Sequence, residues 1–125
     1  MRKCAYADDT DMDEITALQA EVLKTLASPR RLEIIHRLAE GPCEVGRLAE
    51  ELGVSQPNIS QHLAVLKAAG IVDAERDGRE VRYRLSDPDV VVACAVMRGV
   101  LQRRLARLGR LSIVDQSVRE LVELQ

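Results

Sequence analysis

At 125 residues the chain is long enough for one domain and too short for two ordinary ones. Apolar residues make up 46% and charged residues 30%, which excludes a disordered chain; a net charge of −2 excludes a bulk-positive coat for nucleic acid. No apolar run is long enough for a membrane span. There is no Trp or Phe, so the core must be aliphatic, and a chain this small would gain from a second subunit that covers more apolar surface.

Residues 1–12 carry two basic and several acidic groups with no apolar stretch, and are expected to form a mobile arm rather than a signal peptide. The expected compartment is the cytoplasm, where Cys4, Cys43 and Cys94 would be reduced thiols. The main domain is expected over 13–110. From Asp13 as cap, residues 14–26 place Ile15, Leu18, Val22 and Leu26 on one helical face. Ser28 caps a second helix that opens on Pro29, with Leu32, Ile35 and Leu38 as its stripe. Residues 45–52 predict a short third helix closed by Gly53, and a fourth runs from Gln56 to about Ala69, closed by Gly70.

The period then changes. "IVDAERDGREVRYRL" alternates, with Val81, Tyr83 and Leu85 on one face and Asp77-Gly78 midway, which is a β-hairpin pattern. Asp87-Pro88 starts a long fifth helix over about 88–108, whose apolar positions Val90, Cys94, Met97, Leu101, Leu105 and Leu108 step by three or four. Residues 111–125 read as a C-terminal helical extension. The fold class is therefore mainly α with a small β-hairpin wing: a winged helix-turn-helix.

Between the third and fourth helices, Leu48, Leu52, Val54 and Ile59 face inward, Ala49 is small at the close approach, and Gly53 takes the turn. Ile59, Leu63 and Leu66 bury one side of the fourth helix. The other side is Ser55 as cap, then Gln56, Asn58, Ser60, Gln61 and His62. Amides and hydroxyls hydrogen-bond base edges and phosphates, so this face is the candidate for reading DNA. On the hairpin, Arg79 is the candidate phosphate contact at the wing tip. Arg82 and Arg84 also point outward, and a solvated strand face paired with Glu75 and Glu80 explains them as well as DNA does.

The blocks "LKTLASPRRLEIIHRL", "GRLAEELGVSQPNISQHLAVLKAAGIV" and "RDGREVRYRLSD", together spanning roughly residues 20–90, resemble the ArsR/SmtB family of bacterial winged-helix repressors. The resemblance implies a homodimer on a palindromic operator in double-stranded DNA, built here through Ile15, Leu18 and Val22 of the first helix and Val90, Cys94, Met97, Leu101 and Leu105 of the last. It also implies release by an inducer, often a metal ion or a thiol-reactive species. The sequence departs from the familiar sensor patterns. Where arsenic and cadmium sensors carry C-x-C-x-x-L, this chain has "CEVGRL", with Cys43 one residue early. Asp87 and Asp89 open the last helix but no His follows, and His36 stands near the place of one persulfide-sensing cysteine.

Cys43 follows Gly41-Pro42 and is expected near the surface. With Cys4 from the arm it could supply two thiolates to a soft ion such as As(III), Cd(II) or Pb(II), which prefer sulfur. Cys94, on the apolar seam, is first a packing residue. A regulator without a metal site, constitutive or redox-responsive, is the alternative, and a winged helix that binds only protein a further one. The chain has no Gly-rich phosphate loop, no nucleophile with its base and no convergent metal ligands, so an enzyme is not expected.

Overall fold

The computed structural model describes residues 9–109. Five helices and three short strands follow in the order α1 (Asp9–Leu26), α2 (Pro29–Leu38), β1 (Cys43–Glu44), α3 (Val45–Leu52), α4 (Gln56–Ala68), β2 (Val72–Asp77), β3 (Glu80–Leu85) and α5 (Asp89–Arg107). Cys4 and the extension expected over 111–125 lie outside the described residues, and the expected arm overlaps α1 from Asp9 onward. Asp13 is therefore inside α1 and not its cap.

Local chemistry sets the other boundaries. Ser28 stands in extended geometry and its Oγ accepts from the Arg31 N–H, with Pro29 next to it in the first turn. Ser55 does the same for Asn58, with Pro57 in the first turn. Gly53 ends α3 at φ +69, a left-handed conformation that a side chain would strain. These two devices, a left-handed glycine and a serine cap two residues later, fix the angle between α3 and α4.

The core is aliphatic, as the composition requires. Ile34, Ile35, Leu38, Leu48, Ala49, Ile59, Leu63, Leu66, Ile71 and Val72 are buried, joined by Cys43. Leu52, Val54, Tyr83, Leu85, Val90 and Val91 pack against it in part. On α2 the buried stripe includes Ile34 beside Ile35 and Leu38, while Leu32 of the expected stripe is only half-buried.

The sheet is antiparallel in the order β1-β3-β2. In the hairpin Asp77 pairs with Glu80, so the two-residue loop is Gly78-Arg79, one residue later than Asp77-Gly78. Gly78 has φ +66 and Arg79 has no positive φ, the pattern of a type II′ turn, which suits the strand twist. The third strand has no counterpart in the sequence pattern. Cys43 pairs with Tyr83 and Glu44 with Arg82, and the chain passes directly from Glu44 into α3.

Two helices leave apolar surface uncovered. Ile15 and Leu18 on α1, and Met97 and Leu101 on α5, are each more than half exposed. Val22 and Val90 lie partly against the core, and Cys94 and Leu105 are half-buried. Leu23, Val92, Val96 and Val100 extend the exposed apolar surface beyond the positions that the periodicity picks out. A surface of this kind marks an interaction face.

Candidate nucleic-acid interface

Helix α4 is seated by Ile59, Leu63 and Leu66, all fully buried. With that face fixed, Gln56, Asn58, Ser60 and Gln61 are exposed on the outside. They form an uncharged polar surface at the N-terminal end of a helix, where free backbone N–H groups also favour an anion. The structure thus brings four of the expected reading residues onto one face. Ser55 adjoins them, but its Oγ is already engaged in capping, accepting from Asn58 N at 3.3 Å.

Two members of the expected set have other neighbours. The Gln56 amide is drawn back over the head of α3: its Nε2 lies 3.0 Å from where a Cβ on Gly46 would stand. Gly46 is a close-packing position that the sequence reading missed. The signal was available, since a glycine inside a helix costs about 1 kcal/mol against alanine and calls for a packing reason. His62 is half-buried and turned toward α2, with Nδ1 3.4 Å from Arg31 Nη1. Burial first, then the nearby Arg31 and Arg30 charges, hold its pKa below the usual histidine value.

Arg79 stands exposed at the hairpin tip, with Arg76 two positions before Gly78 on the facing strand. Arg82 and Arg84 are exposed on the outer face of β3, as the alternation predicts. Each has an acidic neighbour: Arg82 faces Glu44 at 3.9 Å across the β1–β3 pairing, and Arg84 faces Glu75 at 3.6 Å. Exposed pairs at such distances are weak, yet they place Arg82 mid-strand and away from the tip. Behind the reading helix, Arg37 of α2 donates to Glu51 of α3, which Arg47 also reaches at 3.1 Å. These hydrogen bonds, that from Arg37 foremost, hold the Glu51 carboxyl below the usual carboxylate range.

Of the three expected sensing thiols, Cys43 and Cys94 are among the described residues and Cys4 lies outside them. Cys43 is buried, at 3% exposure, where a surface position was expected. The cause is the β1–β3 pairing, which turns what looks like a loop after Gly41-Pro42 into an edge strand whose Cys43, opposite Tyr83, joins the core. Its Sγ sits 3.6 Å from the Glu44 carbonyl. Cys94 is half-buried on α5. Among the described residues no group of three or more His, Cys, Asp or Glu side chains converges on a metal position. No described helix is long and apolar enough to cross a membrane.

Residues 28–74 match the profile of a family described as bacterial regulatory protein, arsR family. An uncharacterized HTH-type transcriptional regulator of Mycobacterium tuberculosis is 40% identical over 97 residues, covering 77% of this chain and 85% of that protein. The HTH-type transcriptional repressor SmtB of the same organism is 50% identical over 74 residues, 59% of this chain and 55% of SmtB. Among solved structures, the homodimeric winged helix-turn-helix DNA-binding domain of a possible ArsR-family regulator from Mycobacterium bovis superposes with a TM-score of 0.71 at 32% identity. That superposition covers 83% of this chain and 95% of that one.

Proposed function

The chain belongs to the arsR family of bacterial regulatory proteins, DNA-binding transcription regulators and not enzymes, and from that membership we propose that it is a homodimeric repressor that reads a palindromic operator. The observation that carries the reading is the exposed amide and hydroxyl face of α4, held rigidly on a buried aliphatic seat. Gln61, Asn58 and Ser60 meet base edges in the major groove, and Arg79 meets phosphate from the wing. The uncovered apolar residues of α1 and α5 are where the second copy packs. The M. bovis relative is described as a homodimer, which supports this arrangement. Two half-sites then lie about one helical turn of DNA apart.

Gln61→Ala is expected to weaken specific binding by about 1–3 kcal/mol if the amide reads a base, while thermal unfolding is unchanged because the residue lies outside the buried face. The duplex for this test is one enriched from a randomised pool by the wild-type protein. Equal affinity of the variant for that duplex would remove Gln61 from the reading set.

The wing is tested by salt. Each phosphate neutralised contributes about −0.9 to the slope of log K against log[salt], so Arg79→Ala should flatten that slope by about one unit per wing. It should lower affinity for selected and random duplexes alike. A wild type whose affinity for duplex DNA does not fall with salt would overturn the repressor reading and favour a winged helix that meets only protein.

A further inference from the structure

Arg31 is tied at three points. Its backbone N–H donates to Ser28 Oγ at 3.3 Å, its Nε donates to the Thr25 carbonyl at 2.5 Å, and its Nη1 lies 3.4 Å from His62 Nδ1. Thr25 is in the last turn of α1 and His62 in the middle of α4. One side chain therefore joins the helix with the uncovered apolar face to the helix with the reading face. A guanidinium has donors only, so its contact with the imidazole is a hydrogen bond only when Nδ1 carries no proton. At the α1 end the cation also sits where unsatisfied carbonyls favour it.

We propose that Arg31 is a positioning residue which, through neutral His62, locks the recognition helix to the end of α1, and that DNA affinity falls when His62 takes up a proton. This rests on α4 being the DNA-reading helix. Protonated His62 has no acceptor for Arg31 and adds a second cation beside it. The charged groups facing the ring are Arg31 and Arg30, both on α2, and Arg30 is itself paired with Glu33 at 3.1 Å. From α1 the facing group is the uncharged Thr25 carbonyl, held through Arg31. Operator DNA selects the locked form, so apparent affinity drops with the fraction that is locked. The sign is the reverse of what a phosphate contact would give: a protonated histidine against the backbone would bind DNA more tightly in acid.

The sign for stability is the same. The fold holds His62 less basic than an unfolded chain does, so the unfolded state binds the proton more readily. The stability that depends on a neutral His62, set first by its burial and then by the Arg31 and Arg30 charges, is present above the ordinary histidine range and is lost as pH falls through it.

The test uses the full chain, the selected duplex and a random duplex, from about pH 7.5 to about pH 5.5, the window in which an imidazole titrates. Wild type should lose affinity for the selected duplex on acidification and lose less for the random one. His62→Asn, whose Oδ1 takes the place of Nδ1 and accepts at any pH, should keep the neutral-pH affinity and lose the acid dependence. Arg31→Met should already be weaker by about ten-fold at neutral pH, as for one hydrogen bond to a charged group, with no further acid loss. The link is also read without DNA: in an NMR titration of the His62 ring, Arg31→Met should move the midpoint toward the ordinary histidine value. A His62 midpoint unmoved in Arg31→Met overturns the proposal whether or not DNA is bound. So does a His62→Asn acid profile parallel to wild type, or tighter wild-type binding in acid. A midpoint that moves in Arg31→Met, alongside a wild type that binds no duplex, overturns instead the repressor reading, and with it the coupling to DNA.

Discussion

Replacing Leu63 with alanine is expected to lower the unfolding free energy by about 2–5 kcal/mol, the cost of lost apolar transfer plus a residual cavity. Leu63 is fully buried on α4 in a core that, among the described residues, has no aromatic side chain except the partly buried Tyr83. A small domain holds only about 5–15 kcal/mol in all, so the loss is a large share of the total. Urea unfolding followed by circular dichroism measures it, and the midpoint should fall with little change in slope. The same change loosens the seat of the reading face, so specific affinity should fall further than affinity for a random duplex. A loss below about 1 kcal/mol would mean that the site collapses around the missing methyls and that α4 is not anchored there.

The second large effect is expected at Leu101. In the single chain it is 51% exposed and makes no part of the core packing, so Leu101→Glu should leave residues 28–85 folded. In the proposed dimer the same position is covered by the partner, where an unpaired carboxylate costs several kcal/mol. Sedimentation should give a monomer where wild type gives a dimer, and operator affinity should fall by about the gain that the second half-site provides. A variant that sediments as a dimer would move the interface off α5.

Much of this was legible before any coordinates. Ser28, Ser55, Gly53 and Gly70 each act through their own backbone and nearest neighbours, so α2, α3 and α4 can be read from local chemistry. Val81, Tyr83 and Leu85 alternate with exposed charge, so β3 can be read from its period. What escaped were features that exist only between distant segments. Two residues have no period, so β1 is invisible until Tyr83 and Arg82 come alongside it, and with β1 hidden Cys43 was taken for a surface thiol. Asp13 reads as a cap from its side chain alone, yet the helix is already under way at Asp9. His62 shares a polar helix face with Gln61 in the sequence, and only the approach of Arg31 from 31 residues away turns it inward.

The short strand β1 has a mechanical consequence. It stitches the middle of β3 to Glu44, the residue just before α3, and Leu48 of α3 and Ile59 of α4 share one buried core. Hairpin and reader therefore cannot part company without tearing the sheet. Each copy works as one hard point, and a homodimer of such copies resembles a pair of dividers whose tips are fixed and whose hinge alone can turn. A signal of any chemistry would have to work on that hinge. It would act by spoiling a single length, the span between two points, against the roughly 34 Å repeat of the double helix.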